Sequence, residues 1–434
     1  MHFCYCAISA ATAARTRKTK TVTAPTASNP RHLHHDSFRF ILLVGLVTSF
    51  QAMCTTLTLP ALPAIAQGFA TTPDMAQLTI SLFLIGVACG QIISGALSDR
   101  FGRRPILLGG IGLSVMAGFG CTFSQSIETL IALRFLQGFG GAASMVLGRA
   151  IVRDRFDRDH ALKAMSAISA IISIVPMAGP PITGIMMQWM SWRVIYGALS
   201  LIGLVLGFLV WMLIAESLKK PDPTATDPRR IAGNCWDMLK RPESVGFMLV
   251  GACTYGGLFS FLAIISFITI DTFHLSSTMA GWLLGASSVA SWLGALLNNR
   301  ISGRFPVKRI LRISTACTLL SALLVLTAAY AVTQGLIGGA AGIVAIMVPV
   351  AAYTFTFGVT HPTTIVLYLH PVPHIAGTAS ALGASVQMIA GATFAWLSAY
   401  LYSGTPMALG YCMVIAGGLA FLIFTFVSAK YTPG

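Results

Sequence analysis

The sequence predicts an all-α membrane protein of twelve transmembrane helices arranged in two six-helix halves. Three observations carry that reading. Of the 434 residues, 55% are apolar and only 9% are charged, against roughly 25% charged in an ordinary soluble domain, so this surface does not mainly face water. The mean hydropathy of +0.78 is delivered in repeated apolar runs long enough to cross a hydrocarbon core. The basic residues, finally, are confined to alternate loops. Without water, unsatisfied backbone groups are too costly, and that selects a helical bundle.

The first six runs lie near 39–60, 77–97, 106–123, 129–151, 162–187 and 194–214, and six more near 245–270, 279–299, 310–331, 337–366, 376–400 and 406–428. Glycine is frequent within them, as close helix packing in lipid requires. A polar linker, 215–244, carries the turn-rich Pro221-Asp222-Pro223-Thr224 and separates the halves 39–214 and 245–428; residues 429–434 form a short tail. Two six-span halves point to the internal repeat of secondary transporters. Residues 1–38 lack the continuous apolar core of a signal peptide and read as a disordered tail, or as the product of a start codon placed too far upstream. Within them, His32, His34 and His35 read as solvated linker rather than a metal site.

A net charge of +15 would invite nucleic acid in a soluble protein. Sorted by segment, 25 of the 28 basic residues fall on one side of the spans: in the N-terminal segment, in the loops after spans 2, 4 and 8, in the linker and at Lys430. Arg193 is alone on the other side, and Arg134 and Arg149 lie within span 4. This is the positive-inside pattern of a multi-pass protein with both termini cytoplasmic, and it excludes nucleic acid as the partner. The nine cysteines show no paired spacing, and Cys54, Cys121 and Cys412 among others sit inside apolar runs as packing residues. There is no phosphate-binding loop, zinc-protease motif or strand-borne nucleophile. The chain is therefore not expected to be an enzyme or to hold a cofactor, and with almost no extramembrane domain ATP-driven transport would need a separate subunit.

The strongest motif joins spans 2 and 3: Gly95-Ala96-Leu97-Ser98-Asp99-Arg100-Phe101-Gly102-Arg103-Arg104-Pro105. It is a small-residue helix end followed by an acid and a tight basic turn. Asp99 can face a helix N-terminus, and Arg103 is placed to pair with an acid on another helix end. The segment resembles the motif A loop of the major facilitator superfamily, with a degenerate copy in the second half, Gly294-Ala295-Leu296-Leu297-Asn298-Asn299-Arg300. The resemblance implies a latch between the halves in one access state, with Asp99, Arg103 and Asp154 as its members and Gly95, Arg100, Gly102 and Arg104 shaping the loop. In span 4, Leu133-Arg134-Phe135-Leu136-Gln137-Gly138 resembles motif B. An arginine at that depth faces the bundle interior or a watery cavity, where Arg134 is expected to hold a proton-pathway water, an anionic substrate or span 1 carbonyls. Its rival role is structural, satisfied by carbonyls nearer the periplasmic face. Span 5 contains Pro176-Met177-Ala178-Gly179-Pro180-Pro181-Ile182-Thr183-Gly184, whose prolines and glycines kink the helix and admit neighbours. It resembles motif C of exporters, with Ile185 where a second glycine is usual. Together with Leu59-Pro60-Ala61-Leu62-Pro63 and Pro371-Val372-Pro373-His374, these segments resemble the Bcr/CflA group of drug/proton antiporters over about 39–428.

Two departures bear on mechanism. The group carries an acid in span 1 where this chain has Thr56, a tyrosine where it has Thr58, and often a proline where it has Ser266. None of the 13 acids falls at the bilayer midplane, so coupling through a buried carboxylate is not supported. His361, followed by Pro362, is the substitute proton carrier; its rival role is a histidine hydrogen-bonded to the broken helix near the cytoplasmic interface. Gln51, Thr55 and Thr56 on span 1, Gln137 on span 4, Tyr255 and Phe259 on span 7 and Gln387 on span 11 are the expected cavity residues. The resemblance thus implies a monomeric exporter in a bacterial inner membrane, moving small amphipathic or drug-like compounds in exchange for protons by alternating access. The alternatives are a metabolite facilitator or importer without proton coupling, and a non-transporting membrane sensor on the same scaffold.

Overall fold

The computed structural model describes residues 38–430; the expectations for the N-terminal tail, for His32, His34 and His35 and for residues 431–434 lie outside the described residues. Fourteen helices follow in order: α1 (Phe38–Thr56), α2 (Leu62–Gly68), α3 (Pro73–Phe101), α4 (Arg103–Phe123), α5 (Ile127–Arg155), α6 (Arg158–Met186), α7 (Trp192–Leu213), α8 (Pro228–Leu239), α9 (Pro242–Phe267), α10 (Ser277–Ile301), α11 (Val307–Thr333), α12 (Gly339–Leu369), α13 (Ala376–Tyr400) and α14 (Met407–Lys430). Among the described residues twelve spans are long and apolar enough to cross a membrane; α1 and α2 make the first, and α8 stands outside them.

Local chemistry sets the ends. Pro73 and Pro242 open α3 and α9, where proline's missing N–H costs nothing and its φ suits the helix. Ser126, Asp157, Ser191 and Ser276 cap α5, α6, α7 and α10 by accepting first-turn N–H groups. The linker is not a plain loop. Asp227 caps α8, and Ile231, Asn234, Cys235 and Met238 turn inward at the i, i+3, i+4, i+7 spacing of one helical face, with Met238 fully buried. The first membrane helix of the second half, α9, starts at Pro242.

Within each half the pairing is close. A Cβ on Gly138 would stand 2.1 Å from the Phe83 carbonyl oxygen, so α3 and α5 touch backbone to backbone; α10 and α12 repeat the arrangement, with Gly358 against the Ser291 carbonyl oxygen at 2.0 Å. The halves meet along α3–α13 and α6–α10. The bonds between them lie away from the linker. Ser81 donates to the Ala392 carbonyl (2.9 Å) and Ser385 to that of Ala88 (2.8 Å). Ser277 and Thr278 donate to that of Gly184 (3.2 and 3.1 Å), and Ser266 to that of Leu59 (3.1 Å). The Ser385–Ala88 bond lies mid-helix and the others close the far face, while towards the opposite, linker face α3 and α13 part around a cavity.

Candidate functional site

A central cavity of about 280 Å³ lies between the halves. Gln51, Thr55 and Thr56 of α1 meet Tyr255 and Phe259 of α9 there, with Pro176 and Pro180 of α6 in the wall. No charged side chain lines it. The Gln51 amide donates to the Thr55 hydroxyl at 3.2 Å, and Thr56, standing where the group has its acid, donates back to the Ala52 carbonyl at 2.9 Å. Tyr255 and Phe259 stack with centroids 4.8 Å apart, and Phe357 lies 6.0 Å from Tyr255. These rings supply apolar contact area while the span 1 amide and hydroxyls orient a bound molecule.

Two of the expected cavity residues are engaged elsewhere. Gln387 pairs with His361, whose Nε2 lies 3.2 Å from the glutamine oxygen, and the Gln387 amide nitrogen has no partner among the described residues. The histidine ring packs 5.3 Å from Phe357 and 6.5 Å from Tyr255, at the edge of the aromatic group. Gln137 accepts from Arg134 at 2.7 Å. Arg134 is fully buried and does not line the central cavity. It donates to the carbonyls of Cys54 (3.1 Å) and Thr79 (3.4 Å) and to the Thr58 hydroxyl (3.3 Å), and its guanidinium lies 4.1 Å above the Phe83 ring. One cation thereby ties α1, α3 and α5 together near the far face.

The basic turn is held by a network. Arg103, buried, bridges Asp99 (2.5 Å) and Asp154 (3.0 Å) and donates to Ser98 (2.7 Å). All four belong to the first half, so the triad braces α3 against α5 and does not span the halves. Gly102 adopts φ +106°, and a Cβ there would sit 2.6 Å from a Glu216 carboxylate oxygen. That carboxylate accepts four backbone N–H groups, from Arg103, Arg104, Ser217 and Leu218. Partial burial pushes its pKa up, but the four donors outweigh burial and hold it below the usual carboxylate range. The linker adds further ties: the Asp222 N–H donates to the Asp99 carbonyl (2.9 Å), Arg100 to Thr226 (2.6 Å), Arg104 to the Trp211 carbonyl (2.5 Å), and Arg155 to the Ala215 carbonyl. Thr224 and Arg230 hold the exposed Asp222 carboxyl down at about 2. Gly95 lines the linker-face cavity, and in the second half Asn298 stands at the position of Asp99 and accepts from Thr363 (3.1 Å).

The proline-rich part of α6 packs on α10. A Cβ on Gly184 would lie 2.6 Å from the Ser277 carbonyl oxygen, and one on Gly281 would lie 2.4 Å from that of Pro180; Gly179 abuts Leu57 of the first span. Sequence reasoning missed Glu216 and the serines that join the halves. A single acid at the end of an apolar run carries no signal of its backbone partners, and serines within spans look like ordinary small packing residues.

A family model described as Major Facilitator Superfamily matches residues 44–395. The chain belongs to the major facilitator superfamily. A bicyclomycin resistance protein homolog of Haemophilus influenzae is 31% identical over 385 residues, covering 88% of this chain and 94% of that protein. The multidrug resistance protein D of Escherichia coli is 26% identical over 389 residues, with the same coverage of each. Among solved structures, a D-xylose-proton symporter superposes with a TM-score of 0.71 at 18% identity, covering 91% of this chain and 98% of that one. A bacterial homolog of the human lysosomal transporter Spinster, inward-facing and unoccupied, gives the same TM-score and coverage at 13% identity. This major facilitator protein is a multi-pass membrane transporter rather than an enzyme, and the resemblance to the Bcr/CflA group drawn from its motifs agrees with its relatives.

Proposed function

We propose that this transporter exports small amphipathic, drug-like compounds across a bacterial inner membrane by alternating access, as a monomer, with the linker face and both termini in the cytoplasm. The observation that carries the reading is the central cavity, walled by both halves and lined by aromatic and neutral polar groups, in a molecule closed on the far face and parted on the linker face. A compound entering from the linker side reaches Tyr255, Phe259 and Gln51; rocking of the halves then opens the far side. The names of the drug-resistance relatives support export.

Proton re-entry is the driving force in this reading, with His361 as carrier. It touches Gln387 and the aromatic wall, so binding of substrate and protonation of the imidazole compete for the same packing. Proteoliposomes with an imposed proton gradient and a fluorescent lipophilic cation as probe test it. Gradient-driven accumulation is expected in the wild type and not in His361→Ala, and flux indifferent to the gradient would overturn the coupling. The cavity's lack of any carboxylate favours, as the second reading, a facilitator without proton coupling, for which counterflow would persist in uncoupler.

A further inference from the structure

The linker-face cavity is the larger of the two, about 530 Å³, and it lies between α3 and α5 of one half and α13 of the other, with the linker as its outer wall. Four guanidinium groups and two carboxylates line it. Both carboxylates are engaged, Asp99 with Arg103 at 2.5 Å and Asp222 with Arg230 at 2.6 Å. The other two cations, Arg149 and Arg153, stand four residues apart on α5 and so on one helical face. Both are open to the cavity, and among the described residues neither has a hydrogen bond or ion pair. Arg149 lies within the fourth span, where a guanidinium without a counter-charge is costly. The opposite wall adds to the same field. It is the N-terminus of the 25-residue helix α13, whose first turn has no side-chain cap and whose Ala376, Gly377 and Thr378 line the cavity. A Cβ on Gly377 would meet nothing within 4 Å, so the backbone there is bare. Free N–H groups at a helix start and forked guanidinium donors both select an oxyanion. The remaining wall is mixed: Ile92, Met145, Val146 and Met165 give it an apolar stretch, beside the polar Gln91, Asn234 and Ser380.

We propose that this cavity is a binding site for the carboxylate or phosphate head of an amphipathic anion, held between Arg149 and Arg153 on one side and the N-terminus of α13 on the other. The head belongs either to a soluble organic anion or to a lipid reaching in where α3 and α13 part. The site is distinct from the central cavity and does not depend on what that cavity carries, since binding alone reads it.

The full chain in phosphatidylcholine nanodiscs, titrated calorimetrically with phenyl phosphate and with benzylamine as control, is the test. Wild type is expected to bind phenyl phosphate and not benzylamine, and Arg149→Gln and Arg153→Gln each to weaken it about tenfold or more. Gly377→Asp, which places a carboxylate at an open position on the bare helix start, is expected to abolish binding without disturbing the fold, and it keeps the test decisive if an arginine variant misfolds. In nanodiscs containing phosphatidylglycerol, native mass spectrometry distinguishes the sources. Lipid retained by wild type and lost from Gly377→Asp assigns the site to a head group, whereas phenyl phosphate binding with no retained lipid assigns it to a soluble anion. Binding unchanged in all three variants, or neither phenyl phosphate bound nor lipid retained, overturns the proposal.

Discussion

Arg134 shows how one residue's surroundings decide between the roles open to it. Its donors reach two carbonyls, a hydroxyl and an amide oxygen on three segments, and it stays out of the central cavity. Replacing it with alanine strands buried acceptors, each costing roughly 1–3 kcal/mol, and leaves a void beside Phe83. Arg134→Ala is expected to lower the melting temperature of purified protein markedly, and Arg134→Lys to restore little, because an ammonium cannot fork to several acceptors. A direct role in substrate binding would instead leave stability near wild type and raise KM alone. The sequence made Arg134 conspicuous, since a lone cation in an apolar run announces itself. It could not say which acceptors surround it, because Cys54 and Thr79 lie 80 and 55 positions away. The same holds for His361 and Gln387, each visible as a polar group within a span but joined only by the crossing of α12 and α13.

At the scale of elements, the turn between α3 and α4 is bound to the linker through one carboxylate. Glu216 has a folded-state pKa held below its unfolded value of about 4.3. Its contribution is therefore fully present above that value and is lost as pH falls through the lower folded one. The protection of amides along 216–239, taken relative to their intrinsic exchange rates, is expected to hold at neutral pH and to fall once the pH drops below the ordinary carboxylate range. Glu216→Gln should show the lowered protection at every pH. The α6–α10 contact invites a different test. In Gly184→Leu the new side chain meets the Ser277 carbonyl, so the far face cannot close; transport should vanish while the protein still purifies as a folded species of wild-type size. The helices themselves were legible because hydropathy and loop charge mark spans directly. The helix α8 was not, because its single buried stripe, ending at Met238, is short and interrupted by glycine and charged residues.

Over the whole molecule, the two faces are built differently. A cysteine introduced at Gly377, in a background with all nine native cysteines replaced by serine, is expected to react with an aqueous maleimide in inside-out vesicles and resist it in right-side-out cells. One at Ala392, sealed by Ser81, should resist it from both sides until substrate drives the halves apart. The reverse pattern would invert the proposed orientation. The architecture of two halves was readable from the repeat of six spans and the echo of the Gly95–Arg100 segment at 294–300; where the halves touch was not, because the contacts are made by serines and backbone carbonyls. That choice of chemistry has its own consequence. The closure of the far face uses hydroxyl-to-carbonyl bonds from Ser81, Ser266, Ser277 and Thr278, while the linker face carries carboxylates and guanidinium groups. Neutral bonds keep their strength whatever the acidity or salt outside, and ionic ones weaken as salt rises. In the proposed orientation, the door that meets a changing environment is indifferent to it, and the sensitive hardware sits in the buffered interior of the cell.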